Sequence, residues 1–514
     1  MVVVGWLLLV LVVAFMAFDD YVLQRTARQP LTPLAVMADA LIPREEATES
    51  AALPNSIAVL PFESLSPDPS NDFFAASLHE EILSQLGIIR GLRPIARTSV
   101  LQYAGAARPI TEIAHELNAE SVMEGSVAYG EGRVVVSVRL IDAATGTRLW
   151  GDRYNNMFED VFEIQEDIAR NVVAALEAEF LPGEQQRIGQ RRTESPAADT
   201  LYLEARSLAS DPVTAEELLE RAIGIDPEFA LAHGHKAYLY ASALRGTGRF
   251  ARNGLNLVTL ARDAANRALE IDPSLGIAHM ALGNTHFVSG ELAQAQAEYE
   301  RALELSPNDS LVLALYSAFK RYIGEYDEAI GFSERGASID PSNAFVLPQL
   351  GFNHWYARDY DAAIAAFVRT IALAPTDEGA HLGLAAAEIA KGNEDTALRE
   401  LQFAAELLDP DFTALRLEQL TFAYSQLGRE QEASRFHGML MELAEQESVP
   451  EAMLGMADLA IGEHERAFER LENAVRSPSI GDQIVLGDLK ANPYGVPMLE
   501  ESPWRELRSR IGVL

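Results

Sequence analysis

LGNTHFVSGELAQAQAEYERALELSP, residues 282–307, decides how this chain is read. It places Leu282-Gly283 in one apolar helical segment, Ala295 and Tyr299 in a second, Ala302 one turn further on, and Pro307 at the end. Small residues are needed where two helices cross closely, an aromatic ring fills the space between successive units, and proline stops the second helix. Moving outward, alanines recur at Ala261, Ala295, Ala329, Ala363 and Ala397, each 34 residues after the last. Pro273, Pro307, Pro341 and Pro375 keep the same step in the same phase. Ala215 and Pro227 lie one insertion earlier, around residues 243–254, and Ala433 and Ala467 follow after a slip of two residues. A 34-residue period is that of helical hairpins stacked into a solenoid, and it predicts such an array over 197–479. A single unit cannot bury its apolar face alone, so the array is the folding unit.

The 514 residues exceed what one core organises, so several domains are expected. With 48% hydrophobic and 23% charged residues the composition is that of a folded protein. Seventy-six acidic residues against 41 basic ones give a net charge of −35, a field that repels phosphate backbones, so nucleic acid is not an expected partner. Cysteine is absent, which excludes disulfides, thiol nucleophiles and cysteine-ligated zinc.

Residues 1–18, MVVVGWLLLVLVVAFMAF, carry no charge. As a helix they would span roughly 27 Å, close to the hydrocarbon thickness of a bilayer, and they read as a transmembrane anchor containing Trp6. A secretory signal peptide is the alternative, but no basic residue precedes the run and no small-x-small site follows closely. Arg25 and Arg28 lie after the run, and counted literally they keep the remainder of the chain in the cytoplasm; a basic portion upstream would reverse that count. Residues 19–54 contain Pro30, Pro33, Pro43 and Pro54 with little periodicity and read as a linker.

Residues 55–180 read as a small α/β domain. Strands are predicted over 57–62, 92–100, 121–128, 133–142 and 148–154, and helices over 73–86, 110–117 and 158–180. Val134, Val136, Val138 and Leu140 alternate onto one face, with turns at Tyr129-Gly130-Glu131-Gly132 and Thr145-Gly146. Trp150 is expected to pack in the sheet. A polar linker, 181–196, leads into the array, and 480–514, with Trp504, is read as its C-terminal cap. The fold class expected is therefore α+β and multidomain: an N-terminal transmembrane helix, an α/β domain, then an all-α solenoid.

Two resemblances follow from these residues. The ladders and the 282–307 unit resemble the tetratricopeptide repeat family over roughly 196–479. The blocks SIAVLPFESLS (56–66), FFAASLHEEILSQL (73–86), LRPIARTSV (92–100), NAESVMEGSV (118–127) and GRVVVSVRLIDAATGTRLWGDRYN (132–155) are similar to the TolB amino-terminal-like domain. Relatives of that kind carry the two together behind a membrane helix and a cytoplasmic winged-helix or cyclase module. The resemblance implies a bacterial inner-membrane protein with its soluble domains on the periplasmic side. It also implies an alternative, the regulatory part of a signalling protein whose adenylate cyclase or winged-helix output module is missing or separately encoded.

In the repeat fold the second, fifth, ninth, twelfth and thirteenth positions of each first helix line a concave groove. Here those positions include Asn284, Phe287, Arg321, Tyr322, Phe352, Trp355 and Tyr356, an aromatic set suited to an apolar or extended segment of a protein or peptide partner. The same rings could instead pack inside the solenoid. Other chemistry is weakly signalled. Gly130-x-Gly132 sits on a hairpin with no helix after it, so it reads as a turn rather than a phosphate loop. Glu80-Glu81, Asp152 and Asp160 read as helix-surface and strand-end charges. His233-x-His235 would point about 200° apart on a helix, a poor chelate. His279, His286, His354 and His381 are expected to pack as rings between helices. No catalytic residue, metal or cofactor is expected, although a site in the α/β domain would make the chain an enzyme.

Overall fold

The computed structural model describes residues 53–511 apart from 67–72, 106–107, 131, 158–160, 179, 182–183, 189–191, 194, 209–210, 245–256, 344, 409–412, 447–448, 477–481, 483–484 and 487–503. The apolar run 1–18, nearly all of the linker 19–54, the insertion near 245–254 and most of 480–514 lie outside the described residues. Among those described, no helix is long and apolar enough to cross a membrane.

The α/β domain opens with β1 (Leu53–Val59), β2 (Glu63–Ser64), α1 (Phe73–Gly87), β3 (Arg93–Pro94), α2 (Arg97–Val100) and a 3-10 turn at Leu101–Tyr103. It continues with α3 (Ile110–Leu117), β4 (Ala119–Gly130), β5 (Arg133–Asp142), β6 (Arg148–Met157), α4 (Val161–Ala175) and α5 (Glu184–Arg187). The strand expected over 92–100 is two residues long, because the chain turns into α2 after Pro94. Sheet order is β3-β1-β4-β5-β6, with β2 pairing β4 off that path. β1 runs parallel to β3 and β4, whereas β4, β5 and β6 form an antiparallel meander in the register Gly125↔Val138 and Val138↔Asp152.

The predicted alternation holds: Val134, Val136, Val138 and Leu140 are buried with Leu78, Ile82 and Leu86 of α1 and Ile168 and Val172 of α4. Trp150 packs against the same cluster. A second apolar cluster, with Val100, Ile113 and Leu117, covers the other face at β1 and β4. Positive φ at Gly132 (+75°) and Gly146 (+67°) closes the two hairpins.

The array begins with α6 (Pro196–Ser207) and α7 (Pro212–Ile225), then α8 (Ala230–Ala243) and α9 (Leu257–Ile271). Next come α10 (Gly276–Val288) with α11 (Leu292–Leu305), α12 (Ser310–Tyr322) with α13 (Tyr326–Ile339), and α14 (Val346–Tyr356) with α15 (Tyr360–Leu373). The last hairpins are α16 (Glu378–Lys391) with α17 (Glu394–Glu406), α18 (Thr413–Gln426) with α19 (Glu430–Gln446), and α20 (Glu451–Ala460) with α21 (His464–Arg476). A short helix, α22 (Trp504–Ile511), follows. Leu507 of α22 is buried in one cluster with Leu471 of α21.

Both ladders have a physical cause. Ala261, Ala295, Ala329, Ala363 and Ala397 are each fully buried, where second helices cross first helices. Helices α7, α9, α11, α13 and α15 end at Ile225, Ile271, Leu305, Ile339 and Leu373, two residues before their prolines. Aromatics need matching gaps. A methyl on Gly351 would lie 2.6 Å from the Phe367 ring, too close without a shift, and one on Gly283 would press on the Tyr299 ring at 3.0 Å.

The α/β domain is docked on two consecutive inter-hairpin turns of the array. Asn308 Nδ2 donates to the carbonyls of Ile89 (2.9 Å) and Gly87 (3.3 Å). Asp340 Oδ1 accepts from Thr98 Oγ1 (2.5 Å) and Ser99 Oγ (2.7 Å), and the Ala96 amide donates to Ile339 O at 2.8 Å. Glu80 and Glu81, expected as helix-surface charges, are buried at this junction at 6% and 5% exposure. Glu80 pairs with Arg97 (3.2 Å) and Arg206, and Glu81 pairs with Arg192 at 2.7 Å. Both carboxylates are out of water, and their guanidinium partners are what make that tolerable.

Candidate functional site: the groove of the repeat array

The seven residues expected to line the groove divide into two groups. Asn284 is 1% exposed; its Nδ2 donates to Ala241 O at 2.6 Å, tying one hairpin to the next. Phe287 is buried too, with its ring edge-on to Phe319 (5.6 Å) and Tyr322 (4.8 Å). These three act within the solenoid, the packing alternative left open by the sequence. Arg321 bridges the groups: its guanidinium donates to Asn353 Oδ1 at 2.6 Å and lies 5.4 Å from the Tyr356 ring centre and 5.8 Å from that of Phe352.

The C-terminal group faces a cavity of about 170 Å³. Phe352, Trp355 and Tyr356 form one wall, and Leu382, Ala386 and Phe422 are prominent on the others. Trp355 is 7% exposed and meets Tyr356 edge-on at 4.9 Å, so it is wall and core at once. The cavity has a cause in the repeat. Phe352, Ala386, Phe422 and Met456 occupy one column, each a repeat after the last once the two-residue slip is counted. Alanine between two phenylalanines leaves the gap, and Gly383 beside it adds none of the missing bulk. Ala386, Phe422 and Met456 were not singled out from sequence, although carrying the count past the slip would have found them.

The cavity has little catalytic chemistry. Among the described residues along its lining, Glu418 is the one carboxylate, accompanied by the amides of Gln419 and Gln426. Among the described residues no group of three or more His, Asp or Glu side chains could hold a metal. His233 and His235 do point apart: His233 Nε2 donates to Pro227 O (3.1 Å), while His235 Nδ1 lies 3.1 Å from the Tyr202 hydroxyl. Burial lowers His235 to a pKa of about 3.

The repeat histidines are not simply stacked rings. His279 Nδ1 meets Glu298 (2.7 Å) and His381 Nδ1 meets Glu400 (2.6 Å), pairing first and second helices of one hairpin. His286 pairs with Glu291 at the turn, and His354 Nδ1 lies 3.8 Å from Asp359. His381 also makes a close ring contact, 4.5 Å from Phe403.

Family models match within the array. Residues 276–309 and 349–411 each match a tetratricopeptide repeat model. The chain carries tetratricopeptide repeats. A curated relative from Rhizobium meliloti (strain 1021), named "Putative adenylate cyclase 3", is 36% identical over 183 residues. The match takes in 35% of this chain and 31% of that protein, so this chain spans about a third of its length. Among solved structures, Pseudomonas aeruginosa PilF is 19% identical, with 45% of this chain and 98% of that one covered and a TM-score of 0.33. YrrB, a tetratricopeptide repeat protein described as having an unusual peptide-binding site, is 20% identical over 37% of this chain and 91% of its own (TM-score 0.28). A human IFIT1 dimer is 18% identical over 61% and 77% of the respective chains, at a TM-score of 0.42.

Proposed function

We propose that this protein is a non-catalytic docking scaffold that takes an apolar segment of a protein or peptide partner into the cavity beside Phe352 and Ala386. The observation that carries this reading is the Phe352–Ala386–Phe422–Met456 column, an aromatic-walled gap on the first-helix face of a stacked array. Rigid rings around a gap are what an aliphatic or aromatic anchor side chain needs, and such anchors supply most of the energy in a protein interface. Filling the gap tests it. Ala386→Trp in the full chain, screened against an array of peptides, is expected to weaken captured peptides by about tenfold or more, a loss typical of one hot-spot contact. Unchanged capture by a folded Ala386→Trp protein would place binding elsewhere.

The scaffold is held to a bacterial inner membrane by residues 1–18, with its soluble domains in the periplasm. The uncharged run and the TolB-like resemblance of 55–180 support this, while Arg25 and Arg28 argue for the opposite orientation. A phosphatase reporter fused after Leu514 is expected to be active; activity only of a cytoplasmic reporter would reverse the topology. A second reading, the regulatory portion of a cyclase-linked signalling protein, is supported by the 36% identity to the Rhizobium relative. The purified chain is expected to make no cyclic nucleotide from ATP, and turnover above a boiled control would make it an enzyme.

A further inference from the structure

Arginine recurs on the second helices at Arg267, Arg301, Arg335 and Arg369, in step with the repeat. Their surroundings differ. Arg267 is held by Glu228 and Glu270, and Arg301 by Glu304. Arg335 instead donates to the carbonyl of Pro307 and lies 3.4 Å from Asn308 Oδ1. Through Asn308, which donates to Gly87 and Ile89, Arg335 stands against the turn that leads from α1 into β3. That turn carries Arg90, and Arg93 opens β3; both are exposed. Among the described residues no carboxylate lies within ion-pair distance of any of these three.

The nearby carboxylates are committed elsewhere. Glu184 accepts from the backbone amides of Arg90 and Leu181. Asp309 caps α12 through the amides of Leu311 and Val312, and Asp340 is taken by Thr98 and Ser99. Three arginines from two domains thus stand at one seam with no ion-pair partner among the described residues, in a chain whose net charge is −35. Burial first, then repulsion from Arg93 and Arg90, lowers the pKa of Arg335.

We propose that Arg90, Arg93 and Arg335 form a binding site for a phosphoryl group at the junction of the α/β domain and the array. Guanidinium forks match the geometry of phosphoryl oxygens, and a multiply charged anion relieves the mutual repulsion of three cations better than a single carboxylate does. The bound group would bridge the two domains, so its binding energy adds to their docking. Nucleic acid is a poor source of that group, since the remaining surface repels a polyanion. A soluble pyrophosphate-type ligand and an anionic lipid headgroup present the same chemistry.

The test uses the full chain and the double variant Arg90→Glu/Arg93→Glu, both positions being exposed, with Arg335→Gln as an independent second variant. Pyrophosphate is titrated calorimetrically. In parallel, co-sedimentation is measured with phosphatidylcholine vesicles with and without phosphatidylglycerol. Saturable pyrophosphate binding, about tenfold or more weaker in both variants, supports a soluble ligand. Excess binding to the anionic vesicles that both variants abolish, without pyrophosphate binding, supports a headgroup. Binding of neither probe, or binding unchanged in folded variants, overturns the proposal.

Discussion

Arg206, on the first helix of the array, closes on the carboxylate of Glu80 in α1, and Arg97 reaches the same carboxylate from within the α/β domain at 3.2 Å. Glu80 is 7% exposed at its side chain, while the two arginines are 38% and 36% exposed. The carboxylate is therefore the desolvated member, and its two partners retain water. Removing it leaves two like charges facing each other, whereas removing Arg206 leaves Glu80 still paired. Glu80→Ala is expected to cost about 3 kcal/mol in denaturant unfolding, and Arg206→Ala about 1 kcal/mol. Equal costs would mean that the pair is worth no more than its exposed end.

Alongside His235, His79 contributes to acid stability. It is 2% exposed, its Nε2 donates to Val59 O at 2.8 Å, and burial lowers its pKa to about 4. The unfolded chain then binds more protons than the folded one between about pH 6.5 and pH 4, so stability is lost as pH falls through that window. The drop is expected to reach about 2–3 kcal/mol by pH 4, at about 1.4 kcal/mol per pKa unit. His79→Gln should make this part of the profile shallower, His235 keeping its own share, as measured by urea unfolding at fixed ionic strength. A variant profile parallel to the parent's would remove His79 as a cause.

Arg358 occupies a glycine's position. Gly290, Gly324 and Gly392 close equivalent turns at φ of +75°, +86° and +80°, and Arg358 takes +65° at the corresponding place. A side chain there bears left-handed strain of about 1 kcal/mol. Arg358→Gly is expected to raise stability by about 0.5–1 kcal/mol, the gain reduced by glycine's freedom in the unfolded chain. A lower melting temperature would show that the arginine side chain compensates for its backbone.

Strand β6 is one edge of the sheet among the described residues, and side chains cover its alternate peptide groups. Arg148 donates to Gly151 O (2.7 Å), Asp152 accepts from the Arg153 amide (2.7 Å), and Arg133 donates to Asn155 O (2.9 Å). Such caps deny the edge to another strand. Arg133→Ala/Arg148→Ala/Asp152→Ala is expected to shift sedimentation towards larger species than the parent forms, and an unchanged distribution would show that the caps are dispensable.

Trp355 tests wall against core. At 7% exposure and in contact with Tyr356, it is expected to cost about 3 kcal/mol or more on truncation to alanine. Phe352 is half-buried, and Phe352→Leu is expected to change stability by less than about 1.5 kcal/mol. Peptide capture weakened by Phe352→Leu with stability kept assigns the wall to binding. A large stability loss in that variant would assign Phe352 to packing.

Much of the architecture was legible because the repeat is a local rule applied many times. The alanine crossing, the terminating proline and the Gly283–Tyr299 fit recur at fixed intervals, so each confirms the others. The α/β strands were legible where alternation was long, as from Val134 to Leu140, and misread at 92–100, where Arg93-Pro94 is followed at once by a helical turn. Among the groove residues, the sequence named Phe352, Trp355 and Tyr356 as well as Asn284 and Phe287. Nothing local separated the first three from the last two, because exposure of a ring depends on what its neighbour in the next repeat fills.

By itself, then, the sequence determined the period of the array, the crossing points of its helices and the alternation of its sheet, all set by spacing along the chain. Tertiary structure alone decided that Glu80 and Glu81 are buried, that Asn308 and Asp340 carry the α/β domain, and that Arg335 stands, through Asn308, beside the turn after α1. Those residues lie far apart in the chain, as with Ser99 and Asp340, 241 positions apart. Charge burial and anion geometry depend on distances through space, which no pattern within a repeat encodes.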